Sequence, residues 1–159
     1  IDKGVREFVG AARLLRDLGI SARFVLVGEP DIGNPNTISE EELNQWVAEN
    51  VLEWWGHRSD MSGVLAMCNI FVLPSFYGEG LPKVLIEAAA CGRPVITTDH
   101  PGCRDAIVPD KTGFLIPTHN TEKLGKVIKR LILDRRLCEE MGRAGRELAE
   151  QVFDVKQVV

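Results

Sequence analysis

The sequence predicts an α/β protein built on a doubly wound, mostly parallel β-sheet, and three observations support that fold class. Short apolar runs rich in β-branched residues, typical of strands buried on both faces, alternate with segments of helical periodicity. Consecutive parallel strands need crossover helices, which this alternation supplies. A length of 159 residues, with 45% hydrophobic and 26% charged residues, suits one globular domain with a buried core.

Each predicted element follows from its local pattern. The first helix carries apolar residues at helical spacing and ends at Gly19, since glycine readily takes the left-handed conformation of a helix cap. Ser39 with Glu42 three positions later forms a capping box that opens the second helix, and Asn120 caps the fifth. The predicted strands are 22–27, 51–55, 70–73, 94–98 and 114–116. The predicted helices are 3–18, 39–49, 60–68, 82–91, 121–133 and about 136–151.

Composition excludes several classes of function. The 19 basic and 23 acidic residues leave a net charge of −4, so the chain offers no broad positive field for nucleic acid. No apolar run approaches the roughly 20 residues of a transmembrane helix, and no signal segment opens the sequence. The cysteines form no C-x-x-C pair and the histidines are scattered, which predicts reduced thiols in a cytosolic setting and no metal site.

Residues 74–92 carry the strongest chemical signal. A buried strand ends just before them, and a turn with Gly78 and Gly80 follows. Pro82 then stands where the first residue of a helix is favoured, because its missing N–H would have no partner there. Glycine lets the backbone approach a ligand without a Cβ in the way. This order of strand, glycine turn and helix predicts a binding site at the amino end of the helix.

The chemistry of that helix end favours a diphosphate. The N–H groups of Lys83, Val84 and Leu85 are predicted to be free and to face the carboxyl edge of the sheet, where the helix dipole acts like roughly half a positive charge. Lys83 adds a cation at the same place. The structural alternative for Lys83 is a solvated ion pair with Glu87, worth roughly 0.2 to 0.5 kcal/mol.

Two carboxylates frame the turn and indicate a second kind of ligand group. Glu79 lies in the glycine turn, and Glu87 lies in the helix beside three alanines that the pattern predicts to be buried. Ionised carboxylates only accept hydrogen bonds, so near a diphosphate they are expected to bind hydroxyl groups. Basic groups for phosphates and separate acids for hydroxyls describe a nucleotide that carries a sugar. For Glu79, a solvent-facing position in the loop is the alternative.

Other nucleotide-binding motifs fit less well. Gly78-x-Gly80-x-x-Lys83 approaches the dinucleotide fingerprint G-x-G-x-x-G, and Asp99 follows at about the spacing of a ribose-binding acid. Lysine replaces the third glycine, which close packing of helix on strand requires, so a nicotinamide dehydrogenase is not favoured. The sequence has no G-x-x-x-x-G-K-[ST] loop for P-loop hydrolysis and no Asp-x-Asp pair for metal-assisted phosphate binding.

Two runs of the sequence resemble a known family. They are PSFYGEGLPKVLIEAAACGRPVITTD, residues 74–99, and PGCRDAIVPDKTGFLIP, residues 101–117. Both are similar to the carboxyl-terminal domain of retaining glycosyltransferase family 4, whose signature of two glutamates separated by seven residues is matched by Glu79 and Glu87. The resemblance covers nearly the whole chain. It implies a Rossmann-like domain, one half of the two-domain GT-B architecture.

The resemblance also implies roles for single residues. Glu87 would bind the ribose of the donor, while Glu79, assigned as the catalytic residue, would hold the transferred sugar by its hydroxyls without acting as a nucleophile. Lys3 matches the family's phosphate-binding lysine, and the nucleotide base would rest near residues 55–58. The positions carried over as donor-binding are Lys3, Arg58, Gly80, Leu81, Pro82, Lys83 and Glu87.

By the same resemblance, the reaction moves a sugar from a nucleotide diphosphate to an acceptor hydroxyl with retention, without metal or cofactor. The implied acceptor is a saccharide or lipid-linked saccharide of surface polysaccharide synthesis, used in the cytoplasm or, with peripheral association, at the inner face of the membrane. We expect the chain to be a fragment that lacks its first strand and the amino-terminal acceptor domain, and to be inactive alone. A sugar-nucleotide epimerase, a phosphorylase or a non-catalytic nucleotide-sugar-binding module are the alternatives.

Overall fold

A computed structural model describes residues 4–30, 37–75 and 82–152. The strands are β1 (Val25–Leu26), β2 (Glu53–Trp54), β3 (Phe71–Leu73), β4 (Val95–Thr98) and β5 (Gly113–Ile116). The α-helices are α1 (Val5–Asp17), α2 (Glu40–Ala48), α3 (Met61–Met67), α4 (Lys83–Ala90), α5 (Thr121–Leu133) and α6 (Arg135–Val152), and a 3₁₀ turn covers Arg104–Ala106. The predicted alternation of strand and helix is confirmed.

All strand pairs in the described part of the chain are parallel. β1 pairs with β2, with Val25 opposite Glu53, and β3, β4 and β5 form a second ladder in that order. α2 lies between β1 and β2, and α4 lies between β3 and β4, so these helices are the crossovers that the parallel pairs require. The parallel pairing confirms the predicted α/β class.

The central strand β4 separates two layers of helices. Ile96 packs into a core built largely from α1, α2 and α5, whereas its neighbour Val95 packs into a core shared with α3 and α4. Successive side chains of a strand point to opposite faces, so both faces of this ladder are covered. All four residues of β4 are buried, as a doubly wound sheet requires.

The predicted helix ends are confirmed at three sites. Gly19 adopts φ 77°, and its N–H donates to the carbonyl of Arg16 at 2.9 Å, which ends α1. The Ser39 hydroxyl accepts a hydrogen bond from the Glu42 N–H at 3.1 Å, and the Asn120 side chain accepts one from the Lys123 N–H at 2.9 Å. The second half of the predicted capping box does not form, because the Glu42 carboxylate pairs with Arg6. Capping residues bond to amides or carbonyls only a few residues away, so their positions can be predicted from the sequence alone.

The first two strands are shorter than predicted. The ladder assigns two residues to each, where the apolar runs predicted 22–27 and 51–55. Hydrogen bonds nevertheless continue beyond the ladder, from the Glu53 N–H to the Phe24 carbonyl at 2.8 Å and from the Trp55 N–H to the Leu26 carbonyl at 3.0 Å. Strand length depends on how far a partner runs alongside, and an apolar run does not encode that distance.

Candidate functional site

The candidate site lies at the carboxyl ends of the parallel strands, where open α/β sheets bind ligands. Gly4 holds the amino end of α1 against this edge: it has φ 74°, and a Cβ there would come within 2.0 Å of the Pro74 carbonyl oxygen. Only glycine allows that approach. The residue before α1 is therefore packed directly on the residue that follows β3.

The end of β3 is held by side chains of the neighbouring strand. The Thr97 hydroxyl donates to the Leu73 carbonyl at 2.8 Å, and the Thr98 hydroxyl donates to the Ser75 carbonyl. Ser75, Thr97 and Thr98 are fully buried. These bonds fix the point from which the chain leaves the sheet toward the predicted glycine turn.

Four predicted site residues lie outside the described residues. They are Lys3, Glu79, Gly80 and Leu81. Their roles stay predictions. The described part of the site comprises the amino end of α4, with Pro82, Lys83 and Glu87, and the segment that follows β2, with Arg58.

The helix α4 begins one residue later than predicted. Pro82 is the N-cap rather than the first helical residue, with ψ 125° in the extended region, and α4 starts at Lys83. The prediction that three N–H groups are free is also wrong for Leu85, whose N–H donates to the Pro82 carbonyl at 3.1 Å. The N–H groups of Lys83 and Val84 have no acceptor among the described residues.

The side chains of α4 divide between core and surface. Leu85 and Ala88 are completely buried, Lys83 is exposed and Glu87 is half-buried. The alanine run is buried only in part, because Ala90 is exposed at the end of the helix. Within the described ranges, Lys83 and Glu87 form no ion pair with each other, so this structure does not contain the structural alternative for Lys83.

The segment after β2 forms a stacked polar cluster. The guanidinium carbon of Arg58 lies 5.4 Å from the ring centre of Trp55, and two of its N–H groups donate to Asp60 at 2.9 Å each. The hydrogen bonds from Arg58 lower the pKa of the Asp60 carboxyl, and the same pairing raises the pKa of Arg58. The Trp54 indole N–H donates to the Gly28 carbonyl at 2.7 Å and ties the end of β2 to the end of β1.

The structure adds residues that the sequence reasoning missed. Glu7, in the first turn of α1, places Oε1 3.5 Å from Nδ1 of His119, while its buried Oε2 has no hydrogen-bond partner among the described residues. Beside His119, a recess of about 400 Å³ is lined by residues that include Asp99 and Thr118. The sequence feature that could have identified Glu7 is its position as a carboxylate in the first turn of α1, whose amino end lies at the edge of the sheet.

The described parts of the chain contain neither a metal-binding cluster nor a membrane-spanning helix. There, no group of three histidine, cysteine, aspartate or glutamate side chains is arranged to hold a metal ion. No helix in those ranges combines the length and apolarity needed to span a bilayer.

Comparison with known proteins identifies relatives over most of the chain. The family "Glycosyl transferases group 1" matches residues 1–148. N,N'-diacetylbacillosaminyl-diphospho-undecaprenol alpha-1,3-N-acetylgalactosaminyltransferase of Campylobacter jejuni is 41% identical over 135 residues, which are 85% of this chain and 34% of that protein. The capsular polysaccharide biosynthesis glycosyltransferase CapM of Staphylococcus aureus is 30% identical over 152 residues, covering 96% of this chain and 39% of CapM.

Solved structures share the fold. Anabaena Alr3699/HepE in complex with UDP aligns with a TM-score of 0.86 and 24% identity over 99% of this chain and 43% of that one. Sucrose-phosphate synthase from Thermosynechococcus elongatus aligns with a TM-score of 0.84 and 26% identity, over 99% of this chain and 40% of that one. The chain thus spans well under half the length of these proteins. From the family match over residues 1–148, the chain belongs to the group 1 glycosyl transferases.

Proposed function

We propose that this chain is the donor-binding domain of a retaining glycosyltransferase of family 4, which transfers a sugar from a nucleotide diphosphate to an acceptor hydroxyl without a metal. One observation carries the proposal. At the amino end of α4, two backbone N–H groups lack acceptors among the described residues, the N-cap is a proline without a capping side chain, and the first helical residue is Lys83. A helix end of this kind binds an anion.

The proposed sugar transfer requires stabilisation of the negative charge that develops on the leaving group. As the bond to the anomeric carbon breaks, negative charge grows on the leaving diphosphate. Amides and cations already aimed at that oxygen stabilise the transition state, and each such donor contributes roughly 2.7 to 4 kcal/mol when tested by removal. Lys83 and the first amides of α4 are the described groups placed for this role.

The carboxylates take the hydroxyl groups in this proposal. Glu87 is half-buried on α4, four residues after Lys83, and no described residue donates to its carboxylate. It is therefore able to accept hydrogen bonds from the ribose. We assign Glu79 to bind the transferred sugar and Lys3 to bind the phosphates. The backbone at Gly80, Leu81 and Pro82 is assigned to approach the diphosphate closely.

The proposed setting is bacterial surface polysaccharide synthesis. The name of the C. jejuni relative describes transfer to a diphospho-undecaprenol-linked sugar, and that of CapM describes capsular polysaccharide. By analogy, the acceptor is a saccharide or lipid-linked saccharide held by a second domain, and the reaction takes place on the cytoplasmic side, with peripheral attachment to the membrane.

Titration of the full-length protein with UDP, GDP and ADP by calorimetry tests the proposal, in wild type and in Glu87→Ala. We expect wild type to bind at least one of them, and the variant to bind it about tenfold more weakly, since a lost hydrogen bond to a charged group costs about 1.5 to 3 kcal/mol. Glu147→Ala, on the exposed face of α6, is the matched control. Absence of binding by folded wild type, or unchanged affinity in Glu87→Ala, contradicts the donor site as proposed.

A further inference from the structure

The cluster after β2 has the properties of a specificity element. We infer that Arg58 selects donors whose base presents a ring carbonyl, uracil or guanine, over donors that carry adenine. The inference rests on the proposed function, together with the position near residues 55–58 that the family resemblance implies for the base, and it adds the chemical class of that base.

The guanidinium of Arg58 is held in one orientation. Its central carbon lies over the Trp55 ring, 5.4 Å from the ring centre, and Nε and Nη2 donate to the two oxygens of Asp60 at 2.9 Å each. The Trp55 indole N–H donates in turn to Glu53 at 3.4 Å. A guanidinium held by two parallel hydrogen bonds and a cation–π contact loses little further freedom on binding a ligand.

Arg58 keeps donor capacity for a ligand. A guanidinium has five N–H groups and cannot accept a hydrogen bond. Asp60 takes two of them, and no other described residue accepts from Arg58. The side chain is 32% exposed, so the remaining edge is within reach of solvent and of a bound molecule. Whatever lies against that edge must present acceptors.

The nucleotide bases differ in what they present to such an edge. Guanine offers two adjacent acceptors, O6 and N7, which arginine binds with two hydrogen bonds. Each carbonyl oxygen of uracil has two lone pairs and can accept from both N–H groups of the fork, whereas a ring nitrogen of adenine has only one lone pair. Adenine places the donor group N6–H₂ beside its N7, so one of two parallel donors would face another donor. The fixed fork of Arg58 therefore favours a carbonyl-bearing base.

Calorimetric titration of the full-length protein with UDP, GDP and ADP tests the inference. For wild type we expect ADP to bind at least tenfold more weakly than UDP or GDP, and the better of those two identifies the base. In Arg58→Met the preferred nucleotide should lose about tenfold in affinity, while ADP changes by less than about twofold. Arg58→Lys should lose the preference too, because an ammonium keeps the charge without the planar fork.

The controls separate this inference from the proposed function. Arg146→Met removes an exposed arginine from an ion pair on α6, away from the segment after β2, and should leave all three affinities unchanged. If wild type binds none of the nucleotides, the proposed function fails. If wild type binds ADP as well as the others, or if both Arg58 variants keep the wild-type preference, the donor site stands and the role of Arg58 is overturned.

Discussion

The amino ends of α2 and α4 are built in opposite ways. At α2, the Ser39 side chain accepts a hydrogen bond from the Glu42 N–H, and the first turn carries three glutamates. At α4, the N-cap Pro82 supplies no side-chain hydrogen bond, the first turn has no acidic residue, and the helix starts with Lys83. In both helices the first two amides have no acceptor among the described residues, but the acidic first turn of α2 disfavours an external anion, whereas Lys83 at the start of α4 favours one.

The same contrast holds across the longer helices of the described chain. α5 has the cap Asn120 and the acidic residue Glu122, and Asp134 accepts a hydrogen bond from the Leu137 N–H near the start of α6. α1 lacks a side-chain cap but carries Glu7 in its first turn. Only α4, among the described helices of eight or more residues, has neither feature. A missing cap costs about 0.5 to 2 kcal/mol, so packing must hold α4 in place.

The largest expected effect tests whether packing alone fixes α4. Leu85 is completely buried in the core shared by α3, α4 and β4. We expect Leu85→Ala to lower the free energy of unfolding by about 2 to 5 kcal/mol, because the substitution leaves a cavity. Denaturant unfolding followed by circular dichroism measures it, with the exposed Leu133→Ala as the control. A loss below about 1 kcal/mol would show that something other than packing anchors the helix.

A charge reversal at the start of α4 makes this end resemble that of α2. We expect Lys83→Glu to weaken binding of the preferred nucleotide by about tenfold or more, since it removes a cation and places a carboxylate beside the diphosphate. Stability should rise or stay level, because an acidic first turn suits the helix dipole. Calorimetry and thermal unfolding measure the two effects. Lys126→Glu on α5 is the control, and equal losses of affinity in both variants would point to net charge instead of the site.

Substitution of the capping residues Ser39 and Asn120 tests whether the capped helix ends of α2 and α5 serve stability alone. Ser39→Ala and Asn120→Ala should each lower the free energy of unfolding by about 1 kcal/mol, because an amide of α2 or α5 loses its acceptor. Nucleotide affinity should stay within about twofold of wild type. A cap variant with normal stability and impaired binding would break the distinction between structural and ligand-binding helix ends.

The smallest expected effect concerns the pair of Arg58 and Asp60. The pKa of Asp60 is lowered by the hydrogen bonds from Arg58, so the pair stabilises the folded chain at pH values above the carboxyl's ordinary pKa. That contribution is lost as the pH falls through the lowered pKa of the folded state. NMR titration of the Asp60 carboxyl carbon should give a midpoint below the ordinary value of 3.8, moving up toward it in Arg58→Met. An unchanged midpoint would show that the pair is not formed in solution.

Local chemistry made much of the fold predictable. Ser39, Asn120 and Gly19 act on amides and carbonyls within four residues, so their roles follow from the sequence itself. The buried strand β4 was predictable because all four of its residues are β-branched and helical segments flank it. The 3₁₀ turn at Arg104–Ala106 was missed, since three residues are too few to show a periodicity.

The sequence predicted only the part of the candidate site that is formed by residues close together in the chain. The uncapped amino end of α4 follows from Pro82 and Lys83, although the start of the helix was placed one residue early. The contact of Glu7 with His119 joins α1 to the turn before α5 and depends on how these two helices pack together. No local pattern contains that information.

The central position of β4 has a consequence for how this domain can change over time. Val95 and Ile96 are adjacent in the chain yet belong to opposite cores, so the two cores share the backbone of this strand. A bulkier side chain on either surface displaces the backbone that the other surface shares. Substitutions in the two helical layers are consequently coupled through one four-residue strand. A substitution in the core beneath α1 and α5 is tolerated only if the strand still packs against the core beneath α4.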